Sequence, residues 1–241
     1  MARFYLYARR AIWFALAMLA LLLAYALLRG RPQDLPWTPL KLGDPPGLFT
    51  GRKLAGLTGD APQCRALLTK AGVDFTAMPA HGSGQCAYAD GVRLDRESNA
   101  VSLSPAAVTT SCPVAAALKA WEWHVVQPAA VRILGQQVKT ITHFGSYNCR
   151  RMYGRDSGPF SEHATADAID ISGFVLADGS SISVLKDWRG SGGKARFLHE
   201  VRDGGCRLFS TVLSPDYNAA HRDHLHMDQA ERGALGWRAC R

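Results

Sequence analysis

The sequence predicts an α+β domain, an antiparallel sheet with flanking helices, standing behind one N-terminal transmembrane helix. Three observations carry that reading. An uncharged apolar run fills residues 11–28, and helix start and stop signals follow between residues 60 and 130. The second half then breaks into short alternating segments separated by turn residues. Helices followed by hairpin-linked strands favour an antiparallel sheet over a parallel doubly wound one.

The apolar run, AIWFALAMLALLLAYALL, follows Arg9-Arg10 and contains no charge. It lies near the lower end of the roughly 20 residues that cross a bilayer as a helix, and it is longer than a usual signal-peptide core. Ala24-Tyr25-Ala26 has the form of a cleavage site, yet Leu27-Leu28 continue the run beyond it. Segment 1–28 therefore reads as an uncleaved signal anchor, with a cleaved signal peptide as the alternative. Arg29 and Arg31 follow the run, so flanking charge biases the N-terminus inward only modestly. All six cysteines lie beyond it, in no CxxC pair, and an even count in an exported domain points to disulfides. Six cysteines admit many connectivities; the pairing favoured here is Cys64 with Cys86, stapling a Gly-rich stretch to the first helix.

Residues 29–59 hold five prolines and six glycines and read as a spacer, so the folded domain is expected over 60–241. Asp60 is a helix N-cap before Ala61-Pro62, and that helix stops near Gly72. Residues 74–104 are rich in Gly and small polar residues, with strand-like pieces at Ala87-Tyr88 and Val92–Leu94. Thr110 or Ser111 caps a longer helix that has Pro113 in its first turn, carries Trp121 and Trp123 as core residues and is disturbed at Pro128. Val138–Phe144 alternates as a strand, and Ala168–Leu176 leads through an Asp178-Gly179 turn into Ser181–Val184. A helix from Lys194 to Arg202 ends at Gly204-Gly205. Strands through Leu208–Leu213 and His224–Asp228 follow, and there is no internal repeat.

Formal net charge is +8, of which three positive residues (Arg3, Arg9, Arg10) precede the apolar run and leave +5 for the remainder. No dense Lys/Arg block and no basic stripe with interleaved aromatics is present, so nucleic acid is not an expected partner; the balance reads first as a solvated basic surface, and it also suits anionic lipid or an anionic polymer such as cell wall.

Two short segments hold four of the eight histidines: Ser161–Asp170 (SEHATADAID) and His221–His226 (HRDHLH). Catalytic zinc takes about three protein ligands from His and carboxylate and leaves one position for water. His163 can supply one ligand from a loop and Asp170 another from the following strand. Residues i and i+2 of a strand share a face, so His224 and His226 point the same way. Only one of that pair need bind metal. The other then lies close to the water, whose pKa a metal lowers toward ~7, and can accept its proton.

Ser-x-His, six residues, Asp, then His-x-His on a strand resembles the zinc peptidases that include D-alanyl-D-alanine peptidases, lysostaphin-type endopeptidases and the penicillin-insensitive murein endopeptidase. More narrowly, Gly145–Arg150 (GSYNCR), Ser161–Ala164, Ala168–Ile171 and His221–His226 are together similar to the bacterial extensin-like C-terminal domain family, over roughly residues 55–241. Carried over position by position, this resemblance implies zinc ligation by His163, Asp170 and His226. His224 matches the histidine that in related endopeptidases activates water or stabilises the transition state. Arg150 matches an arginine for a substrate carboxylate or the developing oxyanion, with Arg151 adjacent to it. Asp223 stands where dipeptidase-type relatives have a Glu base, one methylene longer; alternatively it fixes the loop together with His221. Ala166 stands where those relatives often have Gly.

The resemblance thus implies a zinc-dependent peptidase or amidase acting on peptidoglycan or muropeptides. It would be anchored in the bacterial inner membrane by residues 11–28, with its domain in the periplasm. Two other readings remain open: a zinc-containing, non-hydrolytic domain that binds cell wall or scaffolds the envelope, and a disulfide-stapled interaction domain without metal. Glu162 is expected to be solvated, and His81, His124, His143 and His199 to be ordinary surface or core histidines.

Overall fold

The computed structural model describes residues 2–94, 101–233 and 238–241, so residues 95–100 of the Gly-rich stretch lie outside the described residues. Helix α1 spans Ala2–Arg29, and within it Phe4–Ala26 is long and apolar enough to cross a membrane, with none of its apolar window buried against the rest of the chain. Length and composition suit an anchor or a signal sequence equally. Because the apolar run passes beyond Ala26, the full-length protein is expected to stay with membranes through carbonate extraction. A soluble mature form starting near Leu27 would be the contrary result.

The stretch expected as a spacer is in large part packed. Gln33 is buried, and its amide nitrogen donates to Pro39 O and Asp44 Oδ2, both at 3.2 Å. Lys53 Nζ donates to Thr38 Oγ1 at 2.9 Å. Leu42, Leu54 and Leu57 enter the main core, Leu54 from helix α2 (Thr50–Ala55). The prolines keep this segment from forming one long helix, but its leucines still have apolar area to bury, and that brings it onto the domain.

Helix α3 (Ala61–Lys70) begins as the sequence predicts: Asp60 Oδ1 accepts the Gln63 N–H at 3.0 Å, with Pro62 in the first turn. Three short strands then form a small sheet or its approach, β1 (Phe75–Ala77), β2 (Gly91–Leu94) and β4 (Thr110–Ser111), in the order β1-β2-β4. Strand β3 (Ser102–Ser104) joins the larger sheet. Ser111 caps helix α4 (Cys112–Trp121), its Oγ accepting the Val114 N–H. Pro128 has no N–H for the carbonyl four residues back, and Glu122–Val126 form a π-helical turn just before it, ahead of helix α5 (Gln127–Leu134).

Strand β5 (Val138–His143) ends one residue earlier than predicted, and Phe144 is exposed. Strand β6 (Ala168–Leu176) turns through Gly179, at φ +84°, into β7 (Ser181–Ser183). Helix α6 (Val184–Asp187) and helix α7 (Gly193–Gly205) follow. Gly204 and Gly205 lie inside the last turn of α7 rather than after it. A Cβ on Gly204 would fall 2.2 Å from Val125 Cγ1, and one on Gly205 2.6 Å from Met227 Cε. These glycines let the helix lie close to its neighbours.

Strands β8 (Thr211–Leu213), β9 (Leu225–Asp228) and β10 (Ala239–Cys240) complete a seven-stranded sheet of order β10-β8-β9-β6-β5-β3, with β7 on β6. Its centre is antiparallel as expected, but the edge pairs β3–β5 and β10–β8 are parallel. The core lies between this sheet and the helices. Trp121 of α4 meets Phe174 of β6 at 5.9 Å between ring centroids, and Phe174 meets Phe197 of α7 at 5.0 Å. Trp121 Nε1 donates to Val201 O at 2.8 Å, so its one polar atom is satisfied in the core. Trp123 is only half-buried, with the Lys119 ammonium over its ring.

All six cysteines are paired, as Cys64–Cys112, Cys86–Cys149 and Cys206–Cys240. The expected Cys64–Cys86 pair is therefore corrected. Cys64 faces inward from α3 against the start of α4, within the main core, while Cys86 lies outside that cluster. The pairing follows the packing of α3 on α4 rather than nearness in sequence.

Candidate metal centre

The local fold brings the two histidine segments together in three steps. Ser161 caps a 3-10 turn over Glu162–Thr165, which holds His163. The chain leaves that turn through Ala166 at φ +57°, a left-handed conformation that favours glycine, and enters β6. Strand pairing then sets Asp170 of β6 directly opposite His226 of β9. The turn itself is held from beneath: Ser111 N donates to Ala166 O at 2.7 Å, and Ser111 Oγ donates to Asp167 Oδ1 at 2.6 Å.

His163 Nε2, Asp170 Oδ1 and His226 Nδ1 meet in a near-equilateral triangle, with separations of 3.1, 3.1 and 3.0 Å. Among the described residues this is the group of His, Cys, Asp and Glu atoms close enough to hold one ion. Neighbouring ligand atoms in a tetrahedral zinc site, at bond lengths of ~2.0–2.1 Å, lie roughly 3.3 Å apart, so a small adjustment fits the ion. The far side of each ring supports the same use. His163 Nδ1 donates to Ser146 O at 2.5 Å, and His226 Nε2 donates to Asp228 Oδ2 at 3.1 Å. Those bonds fix the tautomers that turn a lone pair of each ring toward Asp170.

A cleft of about 330 Å³ opens over these residues. The family described as "Extensin-like protein C-terminus" matches residues 62–241, which include every residue of this cluster. The chain belongs to that family. Comparison with curated proteins and with solved structures found no match.

In this extensin-like domain, His224 reaches the same point from the start of β9, with Nε2 3.5 Å from Asp170 Oδ1. Asp223 Oδ1 lies 2.9 Å from His224 Nδ1, so this carboxylate orients His224. His221 donates from Nδ1 to Asn218 Oδ1 at 2.8 Å, and burial beside His224 and His226 lowers its pKa to about 4. It is a neutral loop-fixing residue. Arg150 lines the cleft. Arg151 is directed elsewhere, onto the Phe160 ring and Gly158 O.

Two cleft residues escaped the sequence reading. Glu162, expected to be solvated, is half-buried in the cleft wall, and burial followed by the nearby Asp228 carboxylate raises its pKa. Arg232 lines the same cleft and donates to Thr211 Oγ1. Asp228, the partner of His226, could have been found from its i+2 position on the same strand face. Ser146 could not, because only the folded loop brings its carbonyl to His163. Of the remaining histidines, His143 is buried, His124 bonds Leu42 O and His199 packs on Trp188.

Without an ion, three acceptor atoms this close need a proton among them. Burial works against charge on His226, but hydrogen bonds to Asp170 and Asp228 outweigh it and raise its pKa to about 9. Burial works against charge on Asp170 as well, but the neighbouring His163 and His226 outweigh it and hold its carboxyl far below the usual range. A divalent ion must displace the His226 proton. Apparent zinc affinity is therefore expected to rise about tenfold per pH unit through neutral pH and to level off once His226 has lost its proton. Chelator competition across that range measures it, and a flat profile would refute it.

Proposed function

We propose that this domain is a zinc-dependent peptidase or amidase that acts on peptidoglycan peptides in the bacterial envelope. The observation that carries the reading is the convergence of His163, Asp170 and His226, with both histidine tautomers fixed by outer partners, beside an uncoordinated His224. Zinc held by those three residues would polarise a scissile carbonyl and lower the pKa of water at the open position toward ~7.

The remaining work falls to this chain's own side chains. Asp223 keeps His224 in the tautomer whose Nε2 faces the cluster, so that this nitrogen can take a proton from water and return it to the leaving amine. Arg150 supplies a fixed positive charge in the cleft for a substrate carboxylate or the oxyanion that develops on the carbonyl. Asp223 is engaged by His224, which makes the histidine the proton carrier in this reading. Three disulfides beside an N-terminal apolar helix support a domain on the outer side of the inner membrane, in the periplasm.

Zinc-loaded protein incubated with purified muropeptides is expected to yield fragments carrying new amine and carboxylate termini by mass spectrometry. Retained zinc with no cleavage of any muropeptide would instead favour a non-hydrolytic wall-binding domain.

A further inference from the structure

Among the described residues the two most exposed large apolar side chains are Leu48 and Trp37, at 81% and 77%. Both belong to the segment between α1 and α2. Scattered exposed leucines need no explanation, but here a leucine and a tryptophan leave one hydrogen-bonded block. Thr38 Oγ1 donates to Pro32 O, which folds Trp37 back toward the 3-10 turn Pro32–Asp34. Leu48 N donates to Asp34 Oδ1 at 2.7 Å, and Phe49 N donates to Gln33 O at 3.1 Å. Gly47 lies so close to the same turn that a Cβ there would fall 2.4 Å from Gln33 C.

The covalent tether places this block. Only Gly30 and Arg31 separate α1 from the turn, so Pro32 starts within about 11 Å of Arg29 even if that link were extended. It is not extended, because Arg31 N still donates to Leu28 O at 3.1 Å. If α1 spans a bilayer, its apolar window ends at Ala26, and the headgroup layer beyond the hydrocarbon is about 5–8 Å deep. A block tied this closely cannot leave the membrane surface. Its charges suit that place. Arg29, Arg31 and Lys41 are exposed, while Asp34 accepts from Leu48 N and Asp44 from the Gln33 amide. An indole with an apolar body and one N–H donor fits the boundary between headgroups and hydrocarbon.

We propose that this block docks on the bilayer itself, with Trp37 and Leu48 entering the interface and Arg29, Arg31 and Lys41 meeting anionic phospholipid headgroups. The inference rests on α1 remaining attached as a membrane span, and it gives the packed spacer a task. The domain then sits on the membrane face rather than swinging on a flexible tether.

The test reconstitutes the full-length protein in vesicles of mixed zwitterionic and anionic phospholipid that carry a nitroxide quencher, either at the headgroup or deep in the acyl chain. Subtracting the emission of Trp37→Phe protein isolates Trp37, and subtracting that of Trp13→Phe protein isolates Trp13, which lies within the apolar window of α1. The headgroup label is expected to quench Trp37 at least about twofold more than the deep label does, and Trp13 should show the reverse. Leu48→Glu, at an exposed position, should remove the quenching of Trp37 while the thermal midpoint stays unchanged. Quenching of Trp13 by the deep label with none of Trp37 by either would overturn the docking and leave the membrane span standing. Trp13 beyond the reach of both labels would overturn the span, and the docking with it. A blue-shifted Trp37 that neither label quenches would mean that protein covers it, which overturns lipid as the occupant in favour of a second copy of the chain. Equal quenching in purely zwitterionic vesicles would overturn the role given to the three cations.

Discussion

Alanine at His163, Asp170 or His226 is expected to lower zinc affinity at least about 100-fold, whereas His224→Ala should retain zinc and lose roughly 10²–10⁴-fold in turnover. The asymmetry follows from geometry. The first three atoms form the 3.0–3.1 Å triangle, while His224 Nε2 lies 3.5 Å from Asp170 Oδ1 and is held from behind by Asp223. A group that acts on water contributes little to holding the ion. Asp228→Asn should fall between these classes, at about 10–100-fold in zinc affinity, because it weakens the bond that fixes the His226 tautomer. Metal content by mass spectrometry and turnover on muropeptides separate the outcomes. Loss of zinc in His224→Ala, or its retention in Asp170→Ala, would remove the assignment of roles.

The second large effect concerns the Cys64–Cys112 bridge, which ties α3 to the first turn of α4 inside the core. Replacing both cysteines by serine is expected to cost about 2–5 kcal/mol of stability. For a domain of this size, each kcal/mol corresponds to about 2–4 °C in the thermal midpoint. The change also leaves two hydroxyls in an apolar site, which adds to the loss. Thermal unfolding measures the cost. Non-reducing peptide mapping should recover the three pairs 64–112, 86–149 and 206–240. Recovery of a 64–86 peptide would refute this arrangement. Loss of the Cys86–Cys149 bridge should be felt nearer the cleft, since Cys149 precedes Arg150 and Tyr147 donates to Cys86 O at 3.2 Å.

Several features of this protein are legible in the sequence because they depend on a few neighbouring residues. The apolar helix follows from an uninterrupted run, and the starts of α3 and α4 from Asp60 and Ser111 side chains that reach their own first turns. The hairpin follows from Asp178-Gly179, where glycine takes a positive φ. The pairs His163 with Asp170 and His224 with His226 are likewise local, one resting on a turn leading into a strand and the other on the i, i+2 period of a strand; the pairing of β6 with β9 that joins them is not.

Tertiary structure alone decided what depends on distant partners. Cys64 pairs across 48 residues because α3 packs on α4, and the leucines of residues 42–57 fold back because the core offers them burial. Glu162, solvated by its local context, becomes a cleft wall when β9 and the Arg232 segment close over it. The tautomer of His163 is set by a carbonyl 17 residues away, and the Asp167 carboxyl by a helix cap 56 residues away. Periodicity and capping act over one or two turns of chain. Which buried donor meets which acceptor, and which charge loses its water, is fixed only when the whole chain has packed.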